Sequence, residues 1–231
     1  MAEGWIVKAA ALVAAALALG GCNLVVSATP VFSAADAAGA PTLRPGVWAP
    51  PQPNCDFKPA DPLAAWPQCA GGGVITETAF LAAVDPSGLA SSGQPPAPDA
   101  PKQPRKVPYV LAAGDPRVLQ VGVELPLDPA AKTRLFFFAA LRPTAHDADG
   151  RITGAEIWFV QCGPPPPPKP TATGGGTDTG GITDHPLPGM TVDKDTTCTP
   201  SDKAAVRNAA VASRAWADQV GALRWVRDGE K

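Results

Sequence analysis

Side chains suited to catalysis are few in this chain of 231 residues, which contains two histidines and five cysteines. A serine nucleophile needs a general base, and the two candidates are His146, in a predicted turn, and His185, in a segment rich in glycine and proline. No G-x-S-x-G motif accompanies either histidine. No pair of carboxylates is singled out by its spacing for glycoside chemistry. The sequence therefore predicts no catalytic residues and no cofactor, and it favours a protein that is not an enzyme.

A group of acidic residues around a glycine is the most specific internal motif. With Gly150 at loop position six, it resembles the calcium-binding loop of EF-hand proteins. Positions three, five and twelve are then Asp147, Asp149 and Glu156. Position one is Ala145, where that family carries an aspartate, and a β-strand pattern follows the glycine. A hairpin turn explains the same residues without a metal, so the sequence predicts a turn held by aspartate side chains, with Gly150 in the left-handed conformation and no metal site.

A second motif is a cysteine that closes an apolar run near the N-terminus. Residues 9–19 are apolar, and two glycines separate them from Cys22. The run is shorter than the roughly 20 residues that a membrane-spanning helix needs, and it is typical of an export signal. Leu19, the two glycines and Cys22 resemble the lipobox of bacterial lipoproteins. The resemblance implies that residues 1–21 are a lipoprotein signal peptide and that Cys22 is acylated and begins the mature protein.

The same resemblance implies a location and partners. In lipoproteins of enteric bacteria, an aspartate after the modified cysteine retains the protein in the inner membrane, and this chain has Asn23 there. The implied location is the cell envelope, at the outer membrane facing the periplasm. The implied partners are the membrane, through the lipid anchor, and a protein of the envelope. A formal net charge of −2 offers no field for nucleic acid, so no nucleic-acid partner is expected.

Four further cysteines follow the lipobox, namely Cys55, Cys69, Cys162 and Cys198. An even number of cysteines in an exported chain points to disulfide bonds, for which three pairings exist. No C-x-x-C spacing or histidine-rich segment accompanies them, which argues against a zinc site. The sequence favours the pairs Cys55–Cys69 and Cys162–Cys198, because each pair brackets one irregular segment between ordered ones.

Proline and glycine divide the chain into ordered and irregular parts. They account for 29 and 23 of the 231 residues, so the folded core is smaller than the length suggests. Residues 22–43 are rich in alanine and lack a helical or strand period, which predicts a flexible tether. Residues 44–231 are predicted to form a single domain. Within it, residues 85–104 and 163–188 collect prolines and glycines and are predicted to be disordered or loop insertions.

The remaining segments predict short strands and one helix. Residues 119–125 alternate between apolar and other residues, as in a half-buried strand, whereas residues 135–141 have no polar face and predict a central strand covered on both sides. Apolar residues at helical spacing predict an amphipathic C-terminal helix, capped at Thr199 and ended by Gly221. Residues 223–227 predict a final edge strand. The predicted fold is α+β, a small antiparallel β-meander with one C-terminal helix packed on it and long loops rich in proline and glycine.

These features predict a lipid-anchored envelope protein with a non-catalytic binding or structural role. The alternative is an enzyme or a small-ligand carrier that uses the concave face of the sheet, since such sheets curl around apolar ligands. A pocket with converging polar groups would favour that alternative.

Overall fold

A computed structural model describes the following residues of the protein: 23–51, 53–82, 105–128, 131–167, 169–170, 177–178, 181–194, 197–217 and 220–229. Cys22 and the predicted insertion at residues 85–104 lie outside them. In chain order the helices and strands are β1 (Val26–Ser27), α1 (Ala34–Ala37), β2 (Gly46–Ala49), β3 (Gly73–Ile75), β4 (Ala79–Ala82), β5 (Arg105–Ala112), β6 (Arg117–Asp128), β7 (Ala131–His146), β8 (Ile152–Phe159), β9 (Lys169–Pro170), β10 (Thr177–Asp178), β11 (Met190–Val192), β12 (Cys198–Pro200), α2 (Lys203–Ser213) and β13 (Gly221–Arg227). Two short 3-10 helices, Leu63–Ala65 and Gln68–Ala70, lie between β2 and β3.

Eight antiparallel strands close into a barrel. Their order around it is β7, β6, β5, β4, β3, β2, β13 and β8, and β8 pairs back onto β7. The fold is therefore mostly β, a closed antiparallel barrel with one short C-terminal helix, and the predicted open meander is wrong in this respect. Closure is made by β13, which pairs with β2 on one side and β8 on the other, so it is not the predicted edge strand. The alternation of apolar and polar residues indicates which face of a strand is buried, but it does not indicate whether one or both of its edges are paired.

The barrel has an apolar cluster inside it and a second one on its outside. Leu119 and Leu141 belong to the inner cluster, whereas Val118 and Phe138 belong to the outer one. The outer cluster is covered by α2, by the hairpin of β11 and β12, and by the chain around β1. Residues 135–141 are thus covered on both sides, as their uniformly apolar sequence predicts.

The predicted tether is instead packed on the barrel. Val25 and Phe32 are buried in the outer cluster, and Leu43 is buried in the inner one. The prediction of a tether was wrong because it rested on the absence of a helical or strand period. This irregular segment packs on the barrel through apolar side chains that are far apart in its sequence. In the described part of the predicted insertion at residues 163–188, Thr183 is also buried.

Gln120, on the outer face of β6, holds the segment that contains Phe32. Its side-chain oxygen accepts hydrogen bonds from the backbone N–H groups of Val31 (2.7 Å) and Phe32 (2.8 Å), and its amide nitrogen donates to the Phe32 carbonyl (2.9 Å). Gln120 is only 3% exposed, so these bonds form out of contact with water. A side chain from a barrel strand thereby replaces the backbone pairing that the irregular segment lacks.

Replacement of Gln120 by leucine is expected to destabilise the protein by about 3 kcal/mol. The leucine leaves buried backbone groups of the N-terminal segment without hydrogen-bond partners, and each such group costs about 1 to 3 kcal/mol. Urea denaturation measures the free energy of unfolding. Gln161→Leu is the matched control, because the Gln161 side chain accepts a single long hydrogen bond of 3.5 Å from Asn23. Equal stability losses in the two variants would contradict the role given to Gln120.

Helix α2 packs its small residues against the outside of the barrel. It begins after Asp202, whose side chain accepts from the Ala205 N–H at 2.8 Å, so the predicted cap at Thr199 is wrong. The helix ends at Ser213, before the predicted end at Gly221, and its buried residues are Ala205, Val206, Ala209, Ala210 and Ser213. The indole N–H of Trp158 donates to the Ala210 carbonyl at 2.9 Å and fixes the helix on β8. Within the described residues, no helix has the length and apolar character needed to cross a membrane.

An ion pair joins the N-terminal segment to the start of α2. The ammonium of Lys203 lies 2.7 Å from the carboxylate of Asp36, which also accepts from the Ser33 N–H at 2.8 Å. The hydrogen bond from Lys203, followed by the one from Ser33, lowers the pKa of Asp36 from 3.8 to about 2. The folded chain therefore favours the charged form of this carboxyl.

The stabilisation from Asp36 is expected to be complete above its unfolded pKa of 3.8 and to be lost as the pH falls towards its folded pKa of about 2. The difference in free energy of unfolding between the wild type and Asp36→Asn should then be constant from pH 7 to about pH 4 and shrink below that. Denaturant titrations across this pH range measure it, with the exposed Asp184→Asn as the control for loss of one charge. A difference that does not shrink below pH 4 would contradict this assignment.

Candidate functional site

All eight strands contribute apolar side chains to the barrel interior. Its residues are Trp48, Ile75, Phe80, Tyr109, Leu111, Leu119, Val121, Ala139, Leu141, Ala155, Ile157, Leu223 and Trp225. A barrel of eight strands is either filled by such side chains or wide enough to hold one small ligand. Burial along the barrel distinguishes these two cases.

The lower half of the interior is filled. We define the lower end by the turn between β7 and β8, and the upper end by the end of β6 and the start of β7. Buried interior side chains near the lower end include Trp48, Leu119 and Leu141, whereas Trp225 is partly exposed. Leu43 adds a buried side chain there, and the backbone N–H of Arg44 bonds to the Ile152 carbonyl at 2.9 Å. The chain that enters β2 thus closes this end.

The upper half of the interior combines buried and partly exposed side chains, and Phe137, which pairs with Val121, is 5% exposed there. Pairing places Val123 opposite Leu135, and Phe159 opposite the interior residue Ala139, so the interior continues upward beyond Val121. The partly exposed interior side chains are Phe80, Val107, Tyr109, Val121, Val123, Leu135, Ile157, Phe159 and Leu223. These partly exposed apolar side chains make the upper half the candidate site for an apolar ligand.

The polar atoms on the aromatic side chains of this interior are bound by the protein itself. The hydroxyl of Tyr109 donates to the Thr76 carbonyl at 2.8 Å, and the Tyr109 ring packs on Phe80 with 4.8 Å between ring centroids. Burial, with a smaller contribution from Glu77, raises the pKa of Tyr109 to about 12, so its phenol is neutral at ordinary pH. The indole N–H groups of Trp48 and Trp225 also donate to backbone carbonyls. These groups are therefore suited to shaping an apolar site and not to acid–base chemistry.

Arg117 lies at the lower end and is only 6% exposed. Its guanidinium donates a hydrogen bond to the Pro41 carbonyl, and burial lowers its pKa. Among the described residues, no carboxylate forms an ion pair with Arg117. Its bond to Pro41, in the chain that enters β2, makes Arg117 part of the closure of the lower end.

The acidic motif forms the predicted hairpin turn. Gly150 has φ 78° and donates to the Asp147 carbonyl at 3.0 Å. One carboxylate oxygen of Asp147 accepts from the backbone N–H groups of Asp149 (3.0 Å) and Arg151 (2.9 Å), and the other accepts from the Arg151 side chain (3.0 Å). Burial opposes these bonds, but together they lower the pKa of Asp147. The turn geometry predicted from the sequence is confirmed.

Glu156 lies away from this turn. It is on β8, opposite Arg142, and its carboxylate is 3.7 Å from the guanidinium of Arg214. The two histidines are also apart from it, since His146 is an exposed residue at the end of β7 and His185 an exposed residue in a loop. Among the described residues, no three His, Cys, Asp or Glu side chains gather where they could hold a metal ion.

Both predicted disulfide bonds are present. Cys55 pairs with Cys69, with 5.7 Å between α-carbons, and Cys162 pairs with Cys198, with 6.0 Å. The first closes the loop between β2 and β3, and the second ties the chain after β8 to β12, next to α2. The lipidation candidate Cys22 lies outside the described residues, so acylation stays a prediction.

Asn23, which immediately follows Cys22, is tied to the body of the protein, and no pattern in the sequence indicates this. Its carbonyl accepts from the Cys162 N–H at 2.7 Å, and its side-chain oxygen accepts from the Thr183 N–H at 3.2 Å. Its side-chain amide donates to the Gly163 carbonyl. Two residues later, the Val25 N–H donates to the Val160 carbonyl at 3.0 Å, next to the upper end of β8.

No protein-family model, no curated protein and no solved structure matches this chain.

Proposed function

We propose that the protein is a lipid-anchored envelope protein that binds one small apolar molecule in the upper half of its barrel and performs no chemistry on it. One observation carries the binding role. In the upper half, apolar interior side chains around the buried Phe137 stay partly exposed. Such a surface favours an apolar ligand because its burial removes apolar area from water on both partners.

The anchor is supported by the lipobox at Cys22 and by the disulfide bonds. Disulfides persist in oxidising compartments such as the bacterial periplasm, and the pairs Cys55–Cys69 and Cys162–Cys198 use the four cysteines of the mature chain that follow Cys22. The non-catalytic role is supported by the polar atoms of the interior. Tyr109 is a neutral phenol that donates to the backbone, and the indole N–H groups do likewise.

Binding is tested with N-phenyl-1-naphthylamine, an uncharged apolar dye, and the full chain carrying Cys22→Ala in buffer without detergent. Leu223→Trp places a larger side chain among the partly exposed interior residues of the upper half and is expected to weaken dye binding at least about tenfold, or about 1.4 kcal/mol. Ala222→Trp is the matched control, because Ala222 is the exposed neighbour of Leu223 and points out of the barrel. Dye fluorescence titrations measure both affinities.

Unchanged affinity in folded Leu223→Trp protein would show that the dye binds outside the barrel. An equal loss of affinity in Ala222→Trp would contradict the site as well, because that side chain does not reach the interior.

A further inference from the structure

The chain next to the lipobox leaves no room for a spacer between the lipid and the barrel. The hydrogen bonds of Asn23 and Val25 fix both residues to the body, beginning with the residue that follows Cys22. Consecutive α-carbons are about 3.8 Å apart, so an acylated Cys22 would lie within about 10 Å of the groups that hold Asn23. A flexible tether of some twenty residues would instead allow a separation of roughly 25 Å.

The groups that hold Asn23 form a firm surface, which we call the anchor shelf and define as residues 163–167 and 181–185. The two segments touch closely, since a β-carbon on Gly163 would clash with the His185 carbonyl and approach the Thr183 side chain. Thr183 is 4% exposed, whereas Asp184 and His185 are exposed. The only acid or base of the shelf besides His185 is Asp184, so the shelf presents little charge to lipid headgroups.

The anchor shelf lies beside the upper half of the barrel. Gly163 follows the upper end of β8 by four residues, and Val25 bonds to Val160, the residue after that strand. The turn at the lower end is separated from this region by the length of β8, which at about 3.3 Å per residue is some 25 Å. A lipid at Cys22 therefore holds the upper half, and not the lower end, close to the bilayer.

We propose that the barrel is docked without a spacer on the bilayer, with its anchor shelf against the headgroups, and that its apolar ligand is the acyl chain of a membrane lipid. This inference rests on the proposed anchor and binding role and adds an orientation and a class of ligand to them. The chemistry is complementary, because an acyl chain is apolar along its length and the partly exposed interior side chains described in the upper half are apolar.

Orientation is tested with the acylated full chain in vesicles of phosphatidylethanolamine and phosphatidylglycerol. An environment-sensitive fluorophore is attached at Asp184→Cys on the anchor shelf or at Ala148→Cys, an exposed position in the turn at the lower end. Vesicles that contain a lipid with a nitroxide on its headgroup should quench the first label several-fold more than the second. Equal quenching, or stronger quenching at position 148, overturns the docking.

A second experiment tests the docking by inserting a linker. Insertion of about twenty glycine and serine residues between Cys22 and Asn23 keeps the lipid but releases the body from it by roughly 25 Å. We expect this chain to float with the vesicles, to lose the difference between the two labels, and to take up a pyrene-labelled phospholipid from the vesicles several-fold more slowly than the chain without the linker.

Failure of each proposal gives a distinct result. A chain without the linker that does not float with the vesicles refutes the anchor itself. A chain that floats and binds the apolar dye, but takes up no pyrene-labelled phospholipid, overturns the acyl chain as ligand and leaves the apolar site standing. Uptake at the same rate with and without the linker overturns the claim that docking presents the barrel to the bilayer.

Discussion

A full chain that carries Cys22→Ala is expected to leave the membrane fraction almost completely and to appear in the soluble fraction as folded protein. Two or three acyl chains contribute roughly 0.8 kcal/mol per buried methylene, and the substitution removes all of them. The fold should be unaffected, because both disulfide bonds use other cysteines. Fractionation after a high-salt wash, followed by immunoblotting, measures the change.

The matched control is the double variant Cys55→Ala and Cys69→Ala, which also removes cysteines but keeps the lipid. This variant should remain with the membranes. Sedimentation of the Cys22→Ala chain with washed membranes would mean that lipid is not the main attachment.

Gly46→Val is expected to prevent closure of the barrel and to yield little soluble protein. Gly46 has φ 138°, a conformation that side chains with a β-carbon rarely adopt, and a β-carbon there would clash with the Arg227 carbonyl and the Trp225 indole. Backbone strain costs about 1 to 3 kcal/mol and overpacking about as much again. Their sum, about 2 to 6 kcal/mol, reaches the lower end of the range of domain stabilities, which is about 5 to 15 kcal/mol.

Gly39→Val separates strain from steric clash. Gly39 has φ 73°, but a β-carbon added there would meet no heavy atom within 4 Å, so this variant carries the strain alone. Soluble yield and the urea midpoint of both variants measure the effect. A Gly46→Val protein no less stable than Gly39→Val would contradict the tight junction of β2 and β13.

Features set by neighbouring residues could be predicted from the sequence. The turn around Gly150 depends on Asp147 and on residues within four positions of it, and its geometry is as predicted. The strand containing Leu119 and Val121 is likewise visible in the alternation of residues 119–125. The disulfide pairing was also correct, because it depends on which irregular segments each pair encloses.

Features set by distant residues could not be predicted. Gln120 appears in the sequence as the polar side of a half-buried strand, yet its amide is buried against Phe32, 88 positions away. Asn23 appears as part of a tether, yet it bonds to Thr183, 160 positions away. The candidate apolar site has the same origin, since Val121 and Val123 alternate as in any half-buried strand, and only closure of the barrel makes their common face an interior.

The position of β13 in the barrel determines when the barrel can close as the chain is synthesised. This strand leaves the ribosome after the other seven barrel strands, and it fills the gap between β2, from the first quarter of the chain, and β8. Until then β2 and β8 each have an unpaired edge, and contacts across such long sequence separations form slowly. A chain that ends before residue 221 therefore keeps two open edges on which it can aggregate.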